Sequence, residues 1–254
     1  MKIGRVLTQD GAKYCEIGED DVAIIDGDIF SEHHDVGPRR PRKGVELLMP
    51  IQPSKLLVVL GAFPGARTLE EARSQPPKFA AKLVSSMIAN HETVVIPSWV
   101  DKGIFGEPEI AVVIGKTVKD ASPEEASAAI FGYTAFNDVT LLDAILSGGD
   151  YLKAKSLDTF GAIGSWVTTD VTEKEVEAGL SLQGFVNDEL VHEGNTKLFT
   201  HTVAETVSAA SRLCTLFPGD LISLGTPPNP APIDRGDTVR IEVESVGSVV
   251  NPVK

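Results

Sequence analysis

The stretch that decides the fold is EPEIAVVIGK, residues 107–116. It is predicted to be a strand, and a strand places alternate side chains on one face. Glu107 and Glu109 are therefore expected to point the same way. Pro108 removes an N–H from the ladder, so the strand is expected to begin there or to lie at the edge of its sheet.

A third acidic residue comes from GYTAFND, residues 132–138, which also predicts a strand. If the two strands are neighbours, Asp138 completes a site of carboxylates with Glu107 and Glu109. An all-oxygen site suits a hard divalent cation such as Mg²⁺, Mn²⁺ or Ca²⁺ rather than zinc. A Glu-x-Glu pair taken alone is more often two exposed acids on a strand edge.

Composition limits the possible partners. The 254 residues suffice for one large domain, or for a small and a large one. The net charge of −13 disfavours nucleic acids and anionic membrane surfaces, which attract clusters of Lys and Arg. An acidic protein that binds an anionic substrate needs a local positive centre, such as a bound metal with a nearby Lys.

The chain shows no signal for export. Cys15 and Cys214 indicate neither a disulfide framework nor a zinc cluster, which favours a reducing compartment. Residues 1–6 lack the pattern of a signal peptide, and no apolar run approaches the length of a membrane span. A cytoplasmic location is therefore expected.

The chain is predicted to divide into a small N-terminal β domain with its linker, residues 1–48, and a larger domain, residues 49–254. The polar, Pro-rich segment from His33 to Lys43 predicts the linker. An apolar strand, Lys55–Leu60, opens the larger domain. Residues 61–77, which we call the lid segment, show no strand pattern and include a short predicted helix; long loops of this kind are often lids.

Terminal signals predict two helices in the larger domain. Ser122 is expected to cap a helix with Pro123 at its first position and Glu125 completing a capping box. A second helix is predicted from His201 to Leu216. Near the C-terminus, alternation over Asp237–Val249 predicts a half-buried strand.

A series of short motifs follows in fixed order. They are EPEIAVVIGK (107–116), GYT with NDVT (132–140), KSLDTF with GAIG (155–164), NDEL (187–190), GNT (194–196), PGDLI with GTP (218–227) and NPV (251–253). Together these motifs resemble the fumarylacetoacetate hydrolase family. The resemblance covers the chain from Lys55 to the C-terminus.

The resemblance implies an α+β, β-rich fold with a mixed β-sandwich or roll domain, commonly assembled as a homodimer. It implies that Glu107, Glu109 and Asp138 bind Mg²⁺, or else Mn²⁺ or Ca²⁺. The substrates it implies are small oxo acids, which undergo C–C hydrolysis, decarboxylation or keto–enol isomerisation. Lys155 falls where the family places a lysine near the metal, and Thr226 would bind the substrate carboxylate. Otherwise these two are a surface lysine and a turn residue.

The lid segment departs from the family pattern. Hydrolases of this kind carry Gly-x-Asn-Tyr-x-x-His-x-x-Glu there, in which the His–Glu dyad activates water. Here GAFPGARTLE, residues 61–70, keeps the acid as Glu70 but has Arg67 at the His position. Arginine stays protonated and cannot act as the base. Arg67 is expected to pair with Glu70 or to clamp a distal carboxylate. Leu142 and Ile145 replace an Arg and a Gln of the family.

We therefore predict a metal-dependent hydrolase that cleaves a C–C bond in an acylpyruvate-like diketo acid. Glu70 and Lys155 are the predicted catalytic residues, and Arg67, Lys155 and Thr226 the predicted substrate-binding ones. The incomplete dyad leaves open a decarboxylase or keto–enol isomerase of a 2-oxo acid such as oxaloacetate. A non-catalytic metal- or ligand-binding protein is the third possibility. The five histidines are interpreted as surface or capping residues.

Overall fold

The computed structural model describes residues 1–31 and 35–254, and it is β-rich with six short helices in that part of the chain. The strands of the N-terminal segment are β1 (Lys2–Thr8), β2 (Gly11–Ile17), β3 (Asp21–Asp26), β4 (Asp35–Val36), β5 (Arg40–Pro41) and β6 (Leu47–Leu48). The next are β7 (Leu56–Leu60), β8 (Lys78–Lys82), β9 (Met87–Ile88), β10 (Ile104–Gly106), β11 (Pro108–Ile114), β12 (Ile130–Asp138), β13 (Thr140–Leu141), β14 (Gly161–Ile163) and β15 (Trp166–Thr168). The last are β16 (Ser181–Val186), β17 (Glu189–Asn195), β18 (Leu221–Ser223), β19 (Ala231–Pro232), β20 (Thr238–Val243) and β21 (Gly247–Pro252).

The helices lie between these strands. They are α1 (Leu69–Arg73), α2 (Pro123–Ser127), α3 (Leu142–Gly148), α4 (Tyr151–Lys155), α5 (Glu173–Gly179) and α6 (Val203–Leu213). Short 3₁₀ turns occupy Val84–Ser86 and Thr196–Leu198. Within the described residues, no helix is both long enough and apolar enough to cross a membrane.

One sheet of 14 strands forms the body of the molecule, with the order β4-β3-β2-β1-β15-β12-β11-β18-β7-β8 along its main path. Strand β11 lies inside this sheet, paired with β12 on one side and with β18 on the other. Pro108 opens the strand, as expected, but the alternative of an edge strand is wrong. The missing N–H of a first residue interrupts no ladder, so an interior strand can begin with proline.

The two faces of β11 pack against different parts of the chain. Ile110 and Val112 join a large core cluster that includes Ile241 of β20, because a second sheet, β17-β16-β20-β21, packs on this face. Ala111 and Val113 join another cluster on the opposite face. Full burial of a side chain such as that of Ile110 stabilises the fold by about 1.5–3 kcal/mol. By alternation, Glu109 shares the face of Ala111 and Val113.

The N-terminal segment is continuous with the large sheet. Strand β1 pairs with β15, with Ile3 opposite Val167, and Ile3 packs in the same cluster as Val113. The linker predicted from His33 to Lys43 is wrong where the structure describes it, because β4 and β5 pair with β3. His33 and His34 lie outside the described residues. The predicted boundary between residues 1–48 and 49–254 stays a prediction.

The capping signals in the sequence predicted where helices begin more closely than where they end. Ser122 caps α2, and its capping box with Glu125 is confirmed. The helix predicted from His201 to Leu216 is shorter, Val203–Leu213, because Thr202 forms a capping box with Glu205 and Cys214 is extended. Alternation predicted β20, although that strand ends at Val243 and a turn leads into β21.

Candidate metal centre

The three predicted acidic ligands meet at the ends of two paired strands. Glu107 directly precedes β11, Glu109 is the second residue of β11, and Asp138 is the last residue of β12. The Asp138 N–H donates to the Glu107 carbonyl oxygen at 3.2 Å, which holds the two backbones together. Each side chain offers a carboxylate oxygen, and these oxygens lie within 4.8 Å of one another. All three residues are buried, with exposures of 6%, 2% and 1%.

Lys155, the last residue of α4, joins two of these carboxylates. Its Nζ donates to Glu107 Oε2 at 2.6 Å, to Asp138 Oδ2 at 2.5 Å and to Thr140 Oγ1 at 2.7 Å. Charge-assisted hydrogen bonds of this kind are stronger than neutral ones. The side chain is almost fully buried, so the structure places Lys155 in the site rather than on the surface.

Lys82 is a second buried lysine that sequence reasoning missed. It is the last residue of β8, and its Nζ lies 2.8 Å from Asp138 Oδ1. The same Nζ donates to the Phe160 carbonyl at 2.7 Å and to the Val139 carbonyl at 3.2 Å. Alternation in β8 puts Lys82 on the buried face with Ala80. That pattern was the only available signal, since an isolated lysine in a strand is usually exposed.

Glu109 is held from the other side by the segment that follows β18. Its Oε2 accepts hydrogen bonds from the Ser223 hydroxyl and from the Gly225 N–H, the latter at 3.0 Å. Gly225 has a φ of +93°, and a Cβ there would lie 2.4 Å from the Ala62 Cβ. Only glycine therefore brings this N–H to Glu109 without displacing Ala62. The fixed turn also sets the position of Thr226.

Burial and charge act against each other in this cluster, which we call the carboxylate centre (Glu107, Glu109, Asp138, Lys82 and Lys155). Burial raises the pKa of Glu107, and burial followed by the repulsion of Asp138 raises the pKa of Glu109 to about 8. Burial would also raise the pKa of Asp138, but Lys155 and Lys82 together lower it. Burial opposes the charged form of Lys155, yet attraction to Asp138, Glu107 and Glu109 raises its pKa. Burial lowers the pKa of Lys82 despite the attraction of Asp138.

The family follows from this site together with two family models. A model described as fumarylacetoacetate hydrolase, C-terminal, matches residues 62–254. The chain belongs to the fumarylacetoacetate hydrolase family. A second model, described as Rv2993c-like, N-terminal, matches residues 1–50. The resemblance predicted from the motifs, and the β-rich α+β fold it implied, are both confirmed.

Relatives of known name within the fumarylacetoacetate hydrolase family have different activities. "Protein Rv2993c" of Mycobacterium tuberculosis is 34% identical and covers 100% of this chain and 98% of its own. "Oxaloacetate tautomerase fahd2, mitochondrial" of Xenopus laevis is 30% identical, over 95% of this chain and 77% of its own. Members of the family are enzymes, and their reactions include hydrolysis, isomerisation and tautomerisation.

Solved structures of the family match the whole chain. A 5-carboxymethyl-2-hydroxymuconate delta-isomerase from Mycobacterium smegmatis is 32% identical with a TM-score of 0.88, covering 100% of this chain and 99% of its own. A maleylpyruvate hydrolase from Sphingobium sp. SYK-6, in complex with manganese(II) and pyruvate, is 25% identical with a TM-score of 0.81, covering 100% and 98%.

The carboxylate centre fits the divalent cation that this family implies. The three candidate ligands, Glu107, Glu109 and Asp138, offer only oxygen, which suits Mg²⁺, Mn²⁺ or Ca²⁺. With all groups ionised, three negative charges face two positive ones, so the centre gains a net negative charge once Glu109 has lost its proton. A cavity of about 780 Å³ lies elsewhere, beside Arg5 and Trp166, and none of the predicted site residues lines it. Donor chemistry therefore identifies the site, and cavity size does not.

The structure separates the lid residues from the carboxylate centre. Arg67 and Glu70 are exposed, and the Arg67 Nε donates to the Pro64 carbonyl at 3.2 Å. Neither side chain has a described contact with the three carboxylates, and the two form no ion pair within the described residues. Arg67 lines a separate cavity with Lys78, Thr200 and His201. The family roles predicted for Arg67 and Glu70 stay predictions.

Thr226 directly follows Gly225, the residue that donates to Glu109, and it lies on the loop that His192 supports. Its Oγ1 is buried and has no hydrogen-bond partner among the described residues. His192 was expected at the surface, but it is only 5% exposed, because its ring packs under this loop. Its Nε2 lies 3.1 Å from the Pro227 carbonyl and 3.2 Å from that of Pro228. Burial lowers the pKa of His192, so the neutral ring donates one hydrogen bond to the loop.

Proposed function

We propose that the protein is a divalent-metal-dependent enzyme that interconverts the keto and enol forms of a small 2-oxo acid. The observation that carries this proposal is the carboxylate centre, in which three buried acids lie together and two buried lysines pair with Glu107 and Asp138. Mg²⁺ is the favoured ion, with Mn²⁺ and Ca²⁺ as alternatives.

Charge at the carboxylate centre favours an anionic substrate. A divalent ion on Glu107, Glu109 and Asp138 would change the net charge from one negative to one positive. A single substrate carboxylate then balances it in a site that excludes most water, where unbalanced charge is costly. When bound, the cation supplies a Lewis acid that stabilises negative charge on an oxygen of the substrate.

The chain's own residues would bind and orient the acid. The Lys155 ammonium donates to Glu107, Asp138 and Thr140, so it could donate to an enolate oxygen by exchanging the bond to the neutral Thr140 hydroxyl. The Thr226 hydroxyl would donate to the substrate carboxylate, and its lack of a hydrogen-bond partner among the described residues supports this role. Buried polar atoms without partners are rare, so an unpartnered hydroxyl beside a charged centre supports a role in binding a ligand.

The lid segment favours tautomerisation over hydrolysis. Hydrolysis needs an activated water, but Arg67 cannot act as a base and Glu70 is exposed without a described partner in the site. A shift of a proton within the substrate needs no such water. The relatives named as isomerase and tautomerase are 32% and 30% identical to this chain, against 25% for the named hydrolase.

Hydrolysis of an acylpyruvate-like diketo acid is the second candidate. It is supported by the match of the whole chain to the manganese- and pyruvate-bound maleylpyruvate hydrolase, and by Glu70 at the family's acidic lid position. In this reaction Glu70 would reach the site only when the lid segment closes, and would then act as the base.

Assays on metal-loaded protein separate these reactions. The protein is stripped of metal and reloaded with Mg²⁺ or Mn²⁺. We expect the ultraviolet absorbance of enol-oxaloacetate to decay faster with protein, without pyruvate formation. Pyruvate from oxaloacetate would indicate decarboxylation, and cleavage of an acylpyruvate would indicate hydrolysis. Failure to accelerate any of the three would contradict an enzymatic function and favour a non-catalytic binding protein.

A homodimer in the cytoplasm is the assembly and location that we propose with this function. Light scattering on the purified full chain tests the first, and fractionation of the source cells tests the second. A monomer at assay concentration with full activity would contradict a functional requirement for the dimer.

A further inference from the structure

A second cavity, of about 230 Å³, lies under the lid segment and is basic. Arg67, Lys78 and His201 line it, and none of its lining residues is acidic. In a chain with a net charge of −13, a pocket with cationic and no acidic side chains is a local exception. Low-dielectric walls focus such a field into the cleft and attract anions.

Two of the three basic side chains of this cavity have no ion-pair partner in the described chain, whereas the Nδ1 of the third, His201, lies 3.8 Å from Glu205 Oε2. Within residues 1–31 and 35–254, neither Arg67 nor Lys78 has a carboxylate within ion-pair distance. Arg67 uses its Nε for the Pro64 carbonyl, which leaves the terminal guanidinium nitrogens for a ligand. His201 donates from Nε2 to the Gln75 carbonyl at 3.0 Å and so fixes one wall.

A buried hydroxyl completes the polar lining. Thr200 is 3% exposed, and its Oγ1 has no hydrogen-bond partner in the described part of the chain. Its own N–H donates to the Ala62 carbonyl at 2.7 Å, which holds the residue in place. A buried hydroxyl without a partner costs free energy. An anion in the cavity would supply the missing acceptor.

The cavity is a neighbour of the carboxylate centre. Strand β7, which leads into the cavity wall, pairs in parallel with β18, with Val58 opposite Ser223. Ala62 lines the cavity and is in contact with Gly225, the residue whose N–H donates to Glu109. A single turn therefore separates a ligand of the proposed metal from the basic cavity.

We infer that this cavity binds a carboxylate on a short carbon chain, which selects dicarboxylic over monocarboxylic 2-oxo acids. A guanidinium fork, an ammonium and a hydroxyl match the oxygens of a carboxylate. Val59, Ala72, Pro76 and Pro77 supply apolar walls for the carbons that carry it. The selection of substrate rests on the proposed function, whereas binding of the carboxylate does not.

Binding to metal-free protein tests the cavity independently of catalysis. We measure succinate binding by calorimetry on the stripped full chain, and we expect saturable binding. Arg67→Met and Lys78→Met should each weaken it about 10- to 100-fold, the range for a charged hydrogen bond. Thr200→Val removes only the hydroxyl and should weaken it less. Lys116→Met, which removes an exposed positive charge elsewhere, is the matched control.

Two results would overturn the inference. One is the absence of saturable succinate binding by the wild-type chain. The other is binding that Arg67→Met and Lys78→Met weaken no more than Lys116→Met does. Inorganic phosphate serves as a second probe, and phosphate binding tighter than succinate binding would overturn the assignment to a carboxylate.

Kinetics identify the source of the carboxylate. If it belongs to the substrate, succinate competes with enol-oxaloacetate, and Arg67→Met raises KM for oxaloacetate about tenfold more than for the monocarboxylic enol-phenylpyruvate. Equal effects on both substrates would overturn the role in selection. Succinate that binds without competing identifies the cavity as a separate site for a free carboxylate. Lack of turnover on either substrate would contradict the proposed function and leave the binding result intact.

Discussion

The carboxylate centre and the lid segment are built in opposite ways. Glu107, Glu109 and Asp138 lie on core strands, and buried groups hold each of their carboxylates. The lid segment is largely exposed and its helix α1 has five residues. Its helix is joined to the body by an ion pair between Arg73 and Glu205, whose side chains are 45% and 38% exposed. Exposed pairs of this kind contribute little to stability.

This difference assigns different tasks to the two regions. The charged side chains of the carboxylate centre are buried and held in fixed positions before the substrate arrives. They therefore need no reorganisation during the reaction. Groups that must admit and release a substrate belong on a segment whose local opening costs little free energy. On the proposed function, we expect the centre to set the chemistry common to the family and the lid segment to select the particular reaction.

The largest expected effect comes from removing a ligand of the carboxylate centre. Asp138→Asn and Glu109→Gln keep the side-chain volume but remove a charge that holds the cation. We expect bound metal to fall far below one ion per chain. Activity should fall roughly a thousandfold or more, since a catalytic metal supplies several kcal/mol. Metal analysis and steady-state rates check this, with the exposed Glu189→Gln as control. Full metal occupancy in both variants would show that the ligand assignment is wrong.

Lys82→Met tests how much the centre depends on its buried ion pair. The substitution leaves Asp138 with one lysine instead of two, inside the core. Breaking a buried pair from one side costs about 3–5 kcal/mol of unfolding free energy. Urea unfolding of metal-free protein measures it. Lys78→Met, at the exposed start of the same strand, should change stability by about 0.5 kcal/mol or less. Equal stability of the two variants would contradict a structural role for Lys82.

The raised pKa of Glu109 predicts that the stability of the carboxylate centre depends on pH. Burial raises this pKa from 4.5 to about 8. The folded chain therefore binds this proton more tightly than the unfolded chain does. The resulting stability is fully present below 4.5 and is lost as pH rises through 8. In that window its contribution falls by about 1.4 kcal/mol per pH unit.

Urea unfolding of metal-free wild type and Glu109→Gln over this window isolates the contribution, because the variant cannot titrate. We expect the difference in stability between the two to change with pH in that direction. Below pH 8, metal binding should also release about one proton from Glu109, since a ligand must be deprotonated. Calorimetry in buffers of different ionisation enthalpy counts it. Parallel stability profiles and no proton release would contradict the raised pKa.

Thr226→Val tests whether the loop that follows Gly225 takes part in binding the substrate. Loss of one hydroxyl donor to the substrate carboxylate should raise KM up to about tenfold, the value of one hydrogen bond. Thr226→Ser keeps the hydroxyl and should restore most of the affinity. If both variants resemble the wild type, Thr226 does not bind the substrate.

Glu70→Gln is expected to have the smallest effect and distinguishes the two candidate reactions. Tautomerisation should change little, because the exposed Glu70 side chain contacts none of the described site residues. Hydrolysis would lose roughly 10²- to 10⁴-fold, the usual contribution of a general base. Rates on enol-oxaloacetate and on an acylpyruvate, measured on the same preparation, give the answer. A large loss on oxaloacetate would place Glu70 in the tautomerase mechanism.

The sequence was informative where local rules decide the structure. Alternation put Glu107 and Glu109 on one face, and the strand ending in Asp138 supplied the third acid. Capping rules placed the start of α2 at Pro123. These features depend on neighbours along the chain or on a single strand pairing.

The sequence was uninformative where distant segments meet. Lys82 reaches Asp138 from β8, 56 positions earlier in the chain, and alternation with Ala80 is a weak signal of its burial, because nothing in that segment points to Asp138. His192 was interpreted as a surface residue because the loop that covers it, at Pro227 and Pro228, comes much later in the chain. The basic cavity likewise combines Arg67 with Thr200 and His201. Such contacts follow from the sheet order, which one sequence does not specify.

The pairing of β1 with β15 bears on how far bulk water can reach the carboxylate centre. Glu109 and Asp138 share their strand faces with Val113 and Phe136, and Ile3 of the N-terminal segment covers those neighbours. We expect this packing to keep bulk water away from the strand face that carries Glu109 and Asp138. Without it the local dielectric rises, and the pKa of Glu109 relaxes toward 4.5. We therefore expect the N-terminal segment to influence the pKa of Glu109 through this packing, although none of its described residues belongs to the carboxylate centre.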